Sequence, residues 1–327
     1  MNRLRYSFEE ISTCEMCGDK TDAHIILGQR LNQSQGLNPK RKTGISVSVK
    51  KCRNCKLIYA SPQPIPFDIQ DHYGAPEDYW KPDYFEWTPK YFEEQIKTVK
   101  NILPFEKGMT ALDIGAGIGK CMIALNNAGF ETYGFEPSEP FYKKALSEMK
   151  INPDRLKLGK VEEFDYQEYS FDFITFGAVF EHLYHPANSL EKALKWLKPN
   201  GIIHIEVPSS GHFIAKIINL YFKIRGTNYV TNISPMHPPF HLYEFGFESF
   251  EELAKKLNYS IENYHYDVCS IQHVPKFLHP FFRNYMKLTN TGMQLTVYLR
   301  KKISLSKEQV CGEPKNSELV LRKEQNE

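Results

Sequence analysis

Chemistry in this chain concentrates first in Leu112-Asp113-Ile114-Gly115-Ala116-Gly117-Ile118-Gly119. An apolar approach that stops in three glycines reads as a buried strand turning into a helix. Glycines permit turn angles that a β-carbon forbids, and they let a ligand come close to backbone N–H groups at the helix start. A dinucleotide fingerprint would place its last glycine at position 120, where this chain has Lys120. The spacing is instead G-x-G-x-G with Asp113 two residues ahead. Glu136 ends the next apolar run, Thr132-Tyr133-Gly134-Phe135. An acid at the tip of the adjacent strand can accept two hydrogen bonds from a ribose diol. A glycine loop alone is weak evidence; with both carboxylates it is specific.

A second set is Cys14-x-x-Cys17 and Cys52-x-x-Cys55, separated by 34 residues. Two residues between cysteines let both thiolates face one ion, and two such pairs complete a tetrahedral S4 site for zinc. With every ligand supplied by protein, such a site is closed and structural. Two unrelated reduced cysteine pairs are the competing reading, and redox activity is the minor alternative. A third set is His182, His241 and Tyr243. A histidine at a sheet edge can take a proton near neutrality, or it can simply hold a loop by hydrogen bonds.

The elements that would position these groups follow from pattern. Strands are expected at 109–114, 130–135, 155–158, 170–177 and 202–208, alternating with helices at 120–128, 140–149 and 187–197. That alternation is the mark of an α/β chain with a parallel sheet. Ile45 to Val49 alternates as a strand leading into the second cysteine pair, and Gln29 to Thr43 reads as a polar loop. Prolines 62, 64 and 66 are expected to prevent regular structure and mark a boundary. Tyr73, Tyr79, Trp80, Tyr84, Phe85 and Trp87 follow, as a lid or as packing. Ile214 to Ile224 reads as a helix with an apolar face, a pocket wall or an oligomer contact. Residues 275–285 read as an aromatic insert near the acceptor or a partner subunit.

At 327 residues the chain can hold a full α/β domain with a smaller attachment, and a net charge of +2 gives no general argument for nucleic acid or an anionic membrane. No apolar run is long enough to span a bilayer, and the N-terminus lacks a signal-peptide core. Four paired cysteines suit a reducing, cytoplasmic setting.

The 112–119 stretch with Glu136 resembles motif I of class I S-adenosylmethionine-dependent methyltransferases. The Cys pairs and Leu57-Ile58-Tyr59-Ala60-Ser61-Pro62-Gln63-Pro64 resemble the subgroup with an N-terminal zinc ribbon, although Lys56 stands where that subgroup has glycine. Glu181-His182-Leu183, Leu197-Lys198-Pro199-Asn200-Gly201 and His237-Pro238-Pro239-Phe240-His241-Leu242-Tyr243 resemble later elements of the same family. The resemblance implies a doubly wound, seven-stranded Rossmann-like sheet carrying a small zinc ribbon. It also implies antiparallel pairing of the last two strands, 261–268 and 293–299. It divides the chain into a ribbon (1–66), an aromatic linker (67–104), a catalytic domain (105–304) with an acceptor insert (209–247), and a tail (305–327).

S-adenosylmethionine would lie on Asp113, Gly115, Ala116, Gly117, Gly119, Glu136 and Pro137, with adenine at Val161 and Glu162 and the methyl end near Phe176 and Gly177. Lys160 replaces the aspartate common at the adenine edge. His182, His241 and Tyr243 would face the acceptor. A related RNA-end methyltransferase family holds a cation here with two glutamates and two histidines; Ala178 replaces one glutamate, so no catalytic metal is expected. The subgroup implies a small acceptor, a sugar or sugar nucleotide. The alternatives are an RNA or DNA methyltransferase gripping its substrate with the ribbon and the basic runs Lys40-Arg41-Lys42 and Lys50-Lys51-Cys52-Arg53, or a nonenzymatic binding module.

Overall fold

The computed structural model describes residues 6–31, 46–70, 81–233, 241–269, 271 and 274–302. Expectations for Lys40 to Lys42, Tyr73, Tyr79, Trp80, His237 to Phe240 and the tail beyond 302 lie outside the described residues.

Seven strands form the central sheet: β6 (Thr110–Ile114), β7 (Glu131–Glu136), β8 (Leu156–Leu158), β9 (Phe171–Gly177), β10 (Leu197–Pro208), β12 (Tyr259–Asp267) and β13 (Gln294–Lys301). Their order is β12-β13-β10-β9-β6-β7-β8. The strands from β8 through β10 are parallel, and β13 inserts antiparallel between β10 and β12. The expected doubly wound sheet and the antiparallel final pair are both present. The Asp172 carboxylate accepts from Thr110 N at 2.8 Å and from Lys198 Nζ at 2.7 Å, which fixes the register between β9 and β6.

Helices cover both faces, as buried parallel strands require. On one face lie α1 (Glu93–Ile102) and α2 (Lys120–Asn127), whose Val99 and Leu125 pack against Ala111, Phe173 and Ile202. On the other lie α4 (Pro186–Trp196) and α6 (Phe247–Leu257), with Leu190, Leu194, Phe250 and Leu253 in the main core. The remaining helix beside the sheet is α3 (Glu139–Ser147), capped by Ser138 Oγ accepting from Phe141 N. Between β10 and β12 the chain leaves the sheet to form α5 (Phe213–Ile224), and α7 (His279–Leu288) precedes β13.

The N-terminal part adds β1 (Tyr6–Glu9), β2 (Ile25–Leu31), β3 (Ser46–Lys51), β4 (Ile58–Ser61) and β5 (Gln63–Pro66). Two sequence expectations change here. Gln29 to Leu31 belong to β2, paired with Val47, Ser48 and Ser46, and are not loop. The proline run is a strand as well: β5 pairs antiparallel with β1, with Pro64 opposite Phe8 and Pro66 opposite Tyr6. Proline is tolerated because this two-stranded ribbon is all edge, so a missing N–H can face away from the ladder.

The ribbon does not stand apart from the catalytic sheet. The short strand β11 (Tyr243–Glu244) pairs with β4 and makes the sheet β11-β4-β3-β2. Cys14, Met16, Cys52, Cys55 and Tyr59 share one core with Phe176, Phe180, Phe245 and Phe250. Among the described residues no helix is long and apolar enough to cross a membrane.

Candidate active site

The glycine loop leaves the C-terminal end of β6 with Gly115, Gly117 and Gly119 at φ values of +71°, +57° and +85°. The three glycines serve different purposes. A β-carbon at Gly119 would meet Ile151 at 2.6 Å and one at Gly115 would meet Val179 at 2.5 Å, so these two are small because protein packs on them. At Gly117 the nearest atom to such a carbon is Phe141 Cδ1 at 3.9 Å. That space is open, which suits a ligand lying against the backbone. Gly119→Ala is therefore expected to cost roughly 2 kcal/mol of stability or more, from strain plus overpacking. Gly117→Ala should cost only about 1 kcal/mol while weakening donor binding; thermal melts with and without donor separate the two effects.

Glu136 at the tip of β7 accepts from Gly117 N at 2.7 Å through Oε2 and from Ser138 N at 2.8 Å through Oε1. Each carboxylate oxygen keeps a second lone pair, so both can still accept from a diol. Burial pushes Glu136 up to about 7, against the two backbone hydrogen bonds that pull it down. Asp113 is 3% exposed, and its Oδ2 has no hydrogen-bond partner. Burial, reinforced by the nearby Glu136, pushes it up to about 8, while a hydrogen bond from the Cys121 thiol pulls the other way. Open space at Gly117, free acceptor capacity on Glu136 and an unpartnered Asp113 oxygen fit the donor's ribose and amino-acid ends.

The rest of the expected donor residues surround this loop. Ala116 is buried, and the Pro137 carbonyl accepts from Gln70 Nε2 at 2.9 Å while Gln70 Oε1 accepts from Glu139 N at 3.0 Å. Gln70 therefore clamps the Pro137–Glu139 turn after β7 from the linker, a contact across 67 residues that no sequence pattern announces. Val161 is buried and Glu162 exposed; Lys192 Nζ donates to both carbonyls, at 3.3 and 2.9 Å. Phe176 is buried against Phe180, and a β-carbon at Gly177 would meet nothing closer than 4.0 Å. Of the linker aromatics, Tyr84 packs edge-on to Phe141, and Lys120 and Lys144 lie over the rings of Tyr84 and Phe85.

Beyond Gly177 a single 3-10 turn, Phe180–His182, carries Glu181 and His182. The ring of His182 meets that of His241 edge-on with centroids 4.8 Å apart, and Glu181 Oε1 lies 3.9 Å from His182 Nε2. Glu181 is 2% exposed with Oε2 unpartnered, and burial pushes its carboxyl up to about 8. One donor atom from each of Glu181, His182 and His241 lies within 4.8 Å of the others. Ala178, with φ +54°, stands where a fourth ligand would be needed for the two-glutamate, two-histidine pattern.

Tyr243 is placed differently from its two neighbours. It is buried in β11, and its hydroxyl donates to the Tyr184 carbonyl at 3.0 Å. Burial raises its phenol well above the usual range. His241 lies two residues before β11 and is half-buried, whereas Tyr243 lies within the strand and is fully enclosed.

The four cysteines come together as the spacing predicts. Cys14 Sγ lies 3.5 Å from Cys55 Sγ and Cys17 Sγ 3.5 Å from Cys52 Sγ, and all four are within 4.8 Å of one another. Thiolates 2.3 Å from a tetrahedral zinc sit about 3.8 Å apart, so this cage fits the ion.

Residues 86–284, more than half of the chain, match the family described as methyltransferase domain. Among solved structures the chain is similar to an S-adenosylmethionine-dependent methyltransferase from Archaeoglobus fulgidus (16% identity, 67% of this chain and 97% of that one, TM-score 0.45). It is also similar to one from Methanosarcina mazei (14% identity, 63% and 98%, TM-score 0.46) and one from Mesorhizobium loti (13% identity, 63% and 96%, TM-score 0.43). A search of curated proteins found no match. The domain match decides the assignment: the chain belongs to the methyltransferase-domain family and is a methyltransferase, with a loop whose residues fit S-adenosylmethionine and a four-cysteine cage that could hold a structural zinc.

Proposed function

We propose that the acceptor is a small polar molecule, a sugar or sugar nucleotide, whose hydroxyl is methylated beside His182 and His241. The observation that carries this reading is the pairing of those two imidazoles on the sheet edge that also holds the donor loop. The donor supplies an already activated methyl carbon, so the protein's task is alignment in line and removal of one proton. One of the two imidazoles takes that proton, and a positive charge arriving on His182 lies next to the Glu181 carboxyl. Tyr243 holds the segment 241–245, the roof of the proposed acceptor site, in place and leaves the proton to the histidines.

A small acceptor suits the way the roof is pinned. Leu242 N donates to the Glu181 carbonyl at 2.9 Å, and Ala60 N of the ribbon donates to the Leu242 carbonyl at 3.1 Å. Arg30 of β2, itself buried, donates to the Ile233 carbonyl at 2.6 Å. These bonds spend the ribbon's β-edge on the catalytic domain, where a nucleic-acid grip would keep it open.

The test incubates purified protein and methyl-labelled donor with separate pools of nucleotide sugars, RNA and DNA. Label is expected in the nucleotide-sugar pool, and His182→Ala and His241→Ala should each lower turnover by about a hundredfold at unchanged donor affinity. Label in RNA or DNA alone would overturn the acceptor class, and full turnover in both variants would remove the histidines from the reaction.

A further inference from the structure

One surface is unlike the rest of the molecule. On α5, Ile217, Leu220, Tyr221 and Ile224 are all exposed, Leu220 at 57% and Ile224 at 76%. On α7 and the turn before it, Phe277, Phe281, Tyr285 and Leu288 are exposed, at 79%, 65%, 39% and 86%. The two sets form one stripe. Phe213 at the start of α5 stacks on Tyr285 with ring centroids 4.6 Å apart, Ile217 lies one turn along from Phe213, and Phe281 one turn back from Tyr285. The opposite sides of both helices are already used, with Ile214, Ile218, Phe222 and Met286 buried together. Isolated exposed apolar residues are ordinary, but eight large ones on two packed helices mark a contact surface.

Charge identifies what it contacts. The charged residues of these two segments are Lys216 and Lys223 on α5, Arg225 just after it, Lys276 in the turn before α7, and Arg283 and Lys287 on α7, all exposed. No aspartate or glutamate occurs from residue 207 to 243 or from 268 to 307, in a chain with 39 acidic residues against 41 basic ones. An apolar stripe whose own two segments carry only cations, with Asp267 of β12 the acid beside Lys287, fits the boundary of an anionic bilayer, where rings and aliphatic chains enter the acyl region and lysine and arginine stay among the headgroups. A second copy would set six cations against six. A nucleic acid would leave the apolar residues unused. No described helix is long enough to span, so the contact lies on the surface and does not cross it.

We propose that α5 and α7 together form a peripheral docking face for anionic lipid bilayers. None of these residues is among those assigned to the donor or to proton removal, so the proposal does not rest on the identity of the acceptor. It also reverses the expectation from net charge, because an overall +2 conceals a one-sided distribution.

The test is co-sedimentation of the full chain with vesicles of phosphatidylcholine alone and with 30% phosphatidylglycerol. Binding is expected to be at least tenfold tighter to the anionic vesicles and to weaken with salt. It should fall at least tenfold in Leu220→Asp/Ile224→Asp and in Phe281→Asp/Leu288→Asp. All four positions are exposed, and an unchanged thermal melt confirms folding. Three results would overturn the proposal: no binding, binding equal for both vesicle types and all variants, or a solution dimer dissolved by the same substitutions without vesicle binding, which would assign the face to a second copy.

Discussion

Glu136→Ala is expected to lower the affinity for S-adenosylmethionine by at least a hundredfold while leaving the sheet folded, as read by calorimetry beside a circular-dichroism melt. Glu136 does two things at once. Its Oε1 and Oε2 hold Ser138 N and Gly117 N, so the carboxylate sets the shape of the loop that receives the donor. The same oxygens keep lone pairs for the ribose diol. Hydrogen bonds to a charged group contribute roughly 1.5–3 kcal/mol each, so losing two exceeds the 2.7 kcal/mol that a hundredfold represents. The side chain is buried at a strand end and belongs to none of the hydrophobic clusters, so truncation removes no core apolar contact. Unchanged affinity would remove Glu136 from the donor site.

The same group gives donor binding a pH dependence whose sign follows from its environment. Burial holds Glu136 up to about 7, above its ordinary 4.5, so the free protein keeps it protonated through mildly acidic solution. That raised value contributes stability that is fully present below pH 4.5 and is lost as pH rises through 7. Ribose hydroxyls donating to it favour the ionised form. Donor affinity should therefore rise from pH 5.5 to 7.5 by up to about tenfold per unit, with proton release on binding below pH 7. Calorimetry in two buffers of different ionisation enthalpy measures that proton directly; a flat profile in the wild-type protein would refute the prediction, and a slope that persists in Glu136→Gln would assign the dependence elsewhere.

Local chemistry was legible in the sequence, and long-range pairing was not. The glycine loop, Asp113 and Glu136 lie within 24 residues and follow strand and helix periodicity, so the chain itself states that they meet. The cysteine pairs carry their own geometry in the two-residue spacing. The proline run was misread because its strand partner, β1, lies more than 50 residues earlier, and proline propensity speaks only for its own neighbourhood. Tyr243 and His241 lie two residues apart in sequence, but only Tyr243 is drawn into the core, by the pairing of β11 with β4, a partner about 180 residues earlier that no local pattern announces. Gln70 had no signal at all: a single glutamine becomes a clamp only when the fold brings Pro137 and Glu139 beside it. The apolar face of Ile214 to Ile224 is legible in its helical spacing, but the one-sided charge around it is not, because net charge averages over the chain while surfaces do not.

Removing the zinc should abolish methyl transfer before it abolishes donor binding. Structural S4 zinc sites in small peptides bind with about 10–16 kcal/mol, and most of that energy is folding energy. Here Cys14, Cys52 and Cys55 are buried and Met16 between them is fully enclosed, so without an ion the ribbon core holds four thiols in mutual contact. The consequences travel along named bonds. Ser249 Oγ donates to the Cys55 carbonyl at 2.7 Å, tying the second cysteine pair to α6. Ala60 N donates to the Leu242 carbonyl and Leu242 N to the Glu181 carbonyl, which ties β4 of the ribbon to the turn that carries His182. His241 is the residue before Leu242. Loosening the ribbon therefore separates the two imidazoles, while the donor loop, carried by β6 and β7, keeps its own hydrogen bonds. Cys55→Ser, or chelation of the wild-type protein, is expected to lower the melting temperature by about 10 °C or more and to reduce turnover at least a hundredfold, with donor affinity changed less than about fivefold. Re-addition of zinc should restore turnover to the chelated protein and not to the variant. Equal loss of donor binding and turnover would mean that the ribbon supports the whole sheet, and full turnover without zinc would free the acceptor roof from the ribbon altogether.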